Sequence, residues 1–167
     1  RPRPRRRAHR HHRRLGKGAD EADREFNLIK GAGAALLREK IVAASSKAMV
    51  VIADESKLVA RLGKFTLPVE VVMFGHGATA ARVGIAASTL GYANVPVTQR
   101  LKDGVAVKTD GGNFIYDCAF GAIRDAKALA AALSSVPGVV EHGLFIGIAT
   151  TLVIAHPGEV EIIQKNP

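Results

Sequence analysis

A chain of 167 residues with 47% hydrophobic content is long enough for one ordinary domain, or for a core with a small appended subdomain, and is globular rather than fibrous. No apolar run approaches the roughly 18 residues of a membrane span and the N-terminus lacks the apolar segment of a signal peptide, so a soluble cytoplasmic protein with no membrane partner is expected. The formal net charge of +9 belongs to a tail and not to the fold: residues 1–14 hold eight arginines and no acid, which leaves 16 basic and 15 acidic residues elsewhere.

In chain order, residues 1–16 read as a basic disordered tail. Such an Arg/His/Pro arm can bind phosphate backbones, which makes nucleic acid a partner if the tail is native, but it has no interleaved aromatic residues to stack on bases. Its composition is also what a GC-rich gene yields when read out of frame, so a displaced reading frame stands as the other reading. The upstream DNA in the other frames distinguishes the two.

Phe26 to Ile29 is an apolar run that leads through Lys30-Gly31-Ala32-Gly33 into a helical segment ending near Ser45-Ser46. Ala48 to Ala53 reads as a buried strand, followed by the polar turn Asp54-Glu55-Ser56-Lys57. Ligands of open α/β sheets gather at the carboxyl ends of strands, so this turn is expected to face the same site as Lys30. That makes Lys57 a candidate phosphate ligand; an exposed lysine capping a turn is the alternative.

Leu67-Pro68 marks a break. Beyond it the pattern gives a strand at Val69 to Met73, a helix at about Ala78 to Leu90, strands at Val95 to Gln99 and Val105 to Thr109, the turn Asp110-Gly111-Gly112-Asn113, a strand at Phe114 to Cys118, a helix at Asp125 to Ser134 and a strand at Val139 to Glu141. Apart from one short strand the order is β-α-β-β-α-β, a split βαβ subdomain. Two last strands, about Ala149 to Ala155 and Val160 to Gln164, flank His156-Pro157-Gly158-Glu159 and can return to the first sheet.

The chemistry concentrates around Lys30. Residues three and four apart share a helix face, so Glu39 shares one with Ala35 and Ala32, which are small. Its carboxylate then looks back toward the loop that carries Lys30, where the first free backbone N–H groups also point. A base, a cation and oriented donors suit proton transfer next to a carbonyl. The plain alternative is an exposed lysine, with Glu39 paired to Lys40 or Arg38 in water. A dinucleotide fold also has the expected order, strand, Gly31-x-Gly33, helix and a strand ending at Asp54, but the third glycine of that fingerprint is Leu36 here.

Cys118 lies in an apolar run and reads as a buried small hydrophobe. His76, His142 and His156 sit in turns without metal-ligand spacing, so structural roles are expected and no metal is.

Several stretches together resemble one family, ribose-5-phosphate isomerase of the type A class, from Gly18 to about Lys165. They are Gly18-Ala19-Asp20-Glu21; Asn27 to Leu36 with Arg38-Glu39-Lys40; Ala53 to Lys57; Leu62-Gly63-Lys64-Phe65 with Leu67 to Val71; Thr109-Asp110-Gly111-Gly112-Asn113; and Pro137 to Phe145. The resemblance implies interconversion of ribose 5-phosphate and ribulose 5-phosphate through an enediolate, a step of the pentose phosphate pathway, without metal or cofactor. By position, Glu39 resembles the proton acceptor, Lys30 the group that stabilises the intermediate, Asp20 the holder of sugar hydroxyls and Lys57 the phosphate contact. Gly18, Ala19, Ala32 and the loop-shaping Gly31 and Gly33 complete the implied substrate-binding set.

The implied fold is α/β: a partial Rossmann-like parallel sheet domain from 17–67 and 143–167, with a small α+β, ferredoxin-like subdomain over 68–142. A homodimer acting on a small sugar phosphate is the implied assembly. Two departures stand out. Lys17 occupies the position at which the family's acidic motif begins with Asp, and the family's first part, with its Gly-Ser-Thr phosphate loop, has no counterpart before it. Reduced activity is therefore expected. A reading of another class is a non-catalytic sugar-phosphate-binding protein with a nucleic-acid-binding arm.

Overall fold

In the computed structural model, which describes residues 15–165, β1 (Leu15–Gly18), β2 (Glu21–Ala22) and β3 (Leu28–Ile29) precede the helix α1 (Leu36–Ala44) and the strand β4 (Met49–Asp54). A 3-10 turn, Glu55–Lys57, follows. Then come β5 (Leu67–Val71), α2 (His76–Thr89), β6 (Val97–Gln99), β7 (Leu101–Lys102), β8 (Val105–Ala106), β9 (Phe114–Cys118), α3 (Ala126–Ser134) and β10 (Val139–His142). The chain closes with β11 (Leu144–Phe145), β12 (Ala149–His156) and β13 (Glu159–Gln164).

One sheet has the order β1-β4-β12-β13, with β1 and β12 both parallel to β4 and β13 antiparallel at the edge. Alternation sorts its side chains: Met49 and Val51 of β4, with Leu152 and Ile154 of β12, are buried against Phe26, Leu28 and Phe145, whereas Ile52 faces outward. A second sheet, β10-β5-β9-β6, is antiparallel throughout. Leu129 and Leu133, one turn apart on α3, and Val83 and Ala87 on α2 fill its core with Val69, Val71 and Tyr116. That strand order, with two helices in the crossovers, is the split βαβ arrangement.

A three-stranded ribbon, β11-β3-β2, runs between the two cores. Leu28 and its partner Phe145 belong to the first core, while Ile29 and its partner Leu144 belong to the second. Lys30 follows directly, its N–H donating to Gly143 O at 2.9 Å. Gly143 is obligatory, because an added Cβ would collide with the carbonyl oxygen of Lys30.

Several boundaries differ from the sequence expectation. Leu15 and Gly16, assigned to the tail by composition, pair with β4, and the rest of the tail, with any nucleic-acid role for it, lies outside the described residues. Leu67-Pro68 opens β5, two residues before the expected start at Val69; Pro68 is accommodated because the register with β10 begins only at Val69. Val105 to Thr109 is not one strand: Asp103 and Gly104, with φ of 52° and 77°, make a tight turn that folds β7 onto β8 as a separate hairpin.

The helix α1 starts at Leu36, four residues after Ala32, because Gly31 (φ 115°) and Ala34 (φ 58°) hold conformations that a right-handed helix forbids. The dinucleotide arrangement is also ruled out. It needs β3 beside β4 in one parallel sheet, and β3 pairs instead with β2 and β11.

Candidate functional site

Parallel strands bring their carboxyl ends to one side of a sheet, and β1 ends there at Gly18. The next residues, Ala19 and Asp20, turn back into β2, and the N–H of Asp20 donates to Ile29 O at 2.9 Å. This hydrogen bond sets the end of β1 beside the end of β3, where Lys30 begins the glycine loop. Helix α1 then leads back over the loop. The result is a cavity of about 270 Å³ lined by Gly18, Ala19, Asp20, Lys30, Gly31, Ala32, Gly33, Ala35 and Glu39.

Lys30 is 5% exposed at its side chain, and Glu39 25%. The Lys30 ammonium lies 2.9 Å from Glu39 Oε2, donates to Gly18 O, and sits 5.7 Å from the centre of the Phe145 ring. One carboxylate, one backbone carbonyl and one aromatic face thus hold a buried cation, which is what burial of an ammonium requires. The other oxygen of Glu39 lies 3.8 Å from Lys17 Nζ, so the lysine at that departure from the family pattern enters the same charge cluster.

Asp20 Oδ2 accepts the N–H of Ala32 at 3.0 Å, which fixes the loop, and its other oxygen accepts no hydrogen bond from the described residues. Of the residues singled out in the sequence, only Lys57 stands outside this lining. It ends the 3-10 turn after β4, where Asp54 caps the turn by accepting the Ser56 N–H at 3.0 Å.

On the far side of α1 lies a closed network. Lys40 Nζ bonds Glu141 Oε1 and His142 O, both at 2.6 Å, and lies 4.9 Å from the Phe145 ring centre. Burial lowers the Lys40 pKa against the opposing pull of Glu141. Burial and the Lys40 charge also push His142 down to about 4, so its ring is neutral. Its Nδ1 accepts the Leu144 N–H and its Nε2 faces Ser134 Oγ, which assigns the proton to Nε2.

Cys118 is fully buried and its thiol is pushed up to about 12 by burial and by Asp117, which fits a packing role. Among the described residues no three of His, Cys, Asp and Glu gather closely enough to hold a metal ion.

A larger cavity, about 520 Å³, lies between the 23–27 turn, the 58–62 segment and the start of α3. Exposed Arg24, Arg61 and Arg124 stand at it, but Asp23 is consumed by the N–H groups of Glu25 and Asn27 and Arg24 is paired with Glu161. It has no buried acid-base pair, so volume alone does not make it the reactive site.

Ala35, which the sequence already sets beside Glu39 as a small residue, closes the cavity wall as the residue preceding α1. Sequence reasoning missed one contributor. Arg100, 69 residues from Gly31, donates to the loop carbonyls of Gly31 at 3.0 Å and Ala32 at 2.8 Å. No local pattern marks it, because the contact exists only through the tertiary fold.

Residues 16–159 match the family described as Ribose 5-phosphate isomerase A (phosphoriboisomerase A). A ribose-5-phosphate isomerase A from Brucella suis biovar 1 is 58% identical over 149 residues, and one from Nitrobacter hamburgensis is 50% identical over 149 residues; each alignment covers 89% of this chain and 64% of the relative. Among solved structures, ribose 5-phosphate isomerase from Plasmodium falciparum superposes with a TM-score of 0.85 at 33% identity, over 92% of this chain and 66% of that one. The chain therefore spans slightly less than two thirds of the length of the curated relatives it matches.

Proposed function

The chain belongs to the ribose 5-phosphate isomerase A family, and from that premise we propose that its Lys30/Glu39 cavity interconverts D-ribose 5-phosphate and D-ribulose 5-phosphate. The observation that carries the reading is the Lys30 ammonium held 2.9 Å from the Glu39 carboxylate inside a polar cavity. In this reading the open-chain aldose lies with its C1 carbonyl toward Lys30. Glu39 removes the proton from C2, and the charge that develops on the C1 oxygen is met by the Lys30 ammonium.

The enediolate then takes a proton at C1 while the C2 oxygen becomes the ketone carbonyl, with the remaining proton returned to the C1 oxygen. Aldose and ketose stand at the same oxidation level, so the step needs no redox cofactor. Asp20 offers its free oxygen to sugar hydroxyls, Gly18, Ala19, Gly31, Ala32 and Gly33 shape the cavity around the chain of the sugar, and Lys57 is assigned the phosphate. The same family premise supports a homodimer working in the cytoplasm; among the described residues no helix is long and apolar enough to cross a membrane.

The test is ribulose 5-phosphate formation from ribose 5-phosphate by this chain beside Glu39→Gln. Turnover that falls by about 10²- to 10⁴-fold in the variant, with folding unchanged by circular dichroism, is the expected result. A folded chain without turnover, or equal turnover in both proteins, overturns the reading.

A further inference from the structure

The loop Gly31-Ala32-Gly33 does not hold its shape by its own hydrogen bonds alone. Gly31 has a φ of 115° and its carbonyl, like that of Ala32, is turned toward the small subdomain. There Arg100, between β6 and β7, meets both oxygens with one nitrogen: Nη1 donates to Gly31 O at 3.0 Å and to Ala32 O at 2.8 Å. The remaining edge of the guanidinium is fixed by Asp117 of β9, with Nε donating to Oδ2 at 2.8 Å and Nη2 to Oδ1. Arg100 is only 15% exposed at its side chain.

A trans peptide sets its N–H opposite its C=O. Holding the carbonyls of Gly31 and Ala32 on the arginine therefore turns the N–H groups of Ala32 and Gly33 the other way. The Ala32 N–H lands on Asp20 Oδ2, a lining residue of the cavity.

We propose that Arg100, oriented by Asp117, is a positioning residue for the reaction, fixing the direction of the loop donors and of Asp20 from outside the cavity. Neither side chain lines the cavity, so both act through the loop. The fork geometry matters: a guanidinium satisfies a carboxylate and two carbonyls at once, whereas an ammonium is a point donor. The inference rests on the isomerase reading for its kinetic consequence, but its structural half stands independently.

The experiment compares the full chain with Arg100→Ala, Arg100→Lys and Asp117→Asn, by steady-state isomerisation of ribose 5-phosphate and by hydrogen exchange of the 30–34 amides. Arg100→Ala is expected to lower kcat by about 10- to 100-fold with KM changed much less, since a small misplacement of reacting groups is costly. Free guanidinium in solution is expected to restore part of that loss, and Arg100→Lys to restore little. Exchange at 30–34 is expected to quicken by about tenfold while helices α2 and α3 exchange as before.

Unchanged exchange at 30–34 in Arg100→Ala overturns the proposal, as does a kcat within twofold of the parent when the parent turns over. If the parent is folded but inactive, the isomerase reading fails by itself, and the exchange of Ala32 and Gly33 still decides for or against the positioning role. If Arg100→Ala does not fold, Asp117→Asn carries the same readings, with the same outcomes deciding.

Discussion

Two lysine–carboxylate pairs lie against one aromatic ring, and consecutive residues of α1 supply a member to each. Lys30 pairs with Glu39 at 2.9 Å, Lys40 with Glu141 at 2.6 Å, and both ammonium groups approach Phe145. The first pair faces a cavity and keeps a carboxylate oxygen in reach of solvent and of Lys17. The second stands outside the lining of that cavity and is tied down by a backbone carbonyl and His142, with the side chains of Lys40 15% and Glu141 19% exposed. In the proposed reaction the same chemical pair serves proton transfer where it faces the cavity; outside the cavity it ties α1 to β10.

Exchanging the open carboxylate separates the roles most sharply. Glu39→Gln is the change expected to remove activity by the largest factor, with the fold kept and the denaturation midpoint lowered, because the amide keeps the shape and Lys30 retains the Gly18 carbonyl but loses its counter-charge. Lys40→Met should act chiefly on stability: it leaves the part-buried Glu141 carboxylate and the His142 carbonyl without their ammonium and lowers stability by about 1–3 kcal/mol in urea titrations. A Lys40→Met protein as stable as the parent would show that the second network is not the anchor of α1.

Acid sharpens the contrast further. His142 is held near 4 in the folded chain, below its ordinary value of 6.5. Between those values the unfolded chain binds a proton that the folded chain does not, so stability falls as pH drops from about 6.5 toward about 4 and levels off below. His156 has the opposite sign: Glu55 and Glu161 raise its pKa, so its share of stability is complete below 6.5 and lost as pH rises through the raised value. Urea midpoints of the parent and His142→Gln at pH 7.5 and 5 isolate the first effect, and equal pH slopes in the two proteins would refute it.

The smallest expected effect is that of Lys17→Asp. Removing a half-exposed ammonium 3.8 Å from Glu39 should change kcat/KM by a few-fold, since partly exposed pairs contribute about 0.2–1 kcal/mol. The direction is upward if a carboxylate there serves sugar binding. A decrease would mean that Lys17 helps to hold Glu39 in place.

The two regions were not equally legible. Lys30, Glu39 and the glycines between them are contiguous enough for local geometry to place them together, and the pairing of Lys30 with Glu39 was foreseen in direction. The route was not: Ala32 lies in the loop and not on the helix, because positive φ at Gly31 and Ala34 delays α1. The Asp103-Gly104 hairpin was legible in principle, since such a dipeptide between apolar residues is a turn signal with a known mechanism. The Lys40 network was not, because Lys40 and Glu141 are 101 residues apart.

What the amino-acid order by itself determined is what depends on neighbours along the chain: the glycine loop, the amphipathic helices, the alternation of β4 and β12, and the presence of a cation and a carboxylate within ten residues. Only the tertiary structure decided which carboxylate keeps a free face, that β3 forms a ribbon between two cores, and that Arg100 reaches back to the Gly31 and Ala32 carbonyls. Those outcomes depend on burial and on contacts across tens of residues, and a group's chemistry is set by the neighbours that exclude water from it.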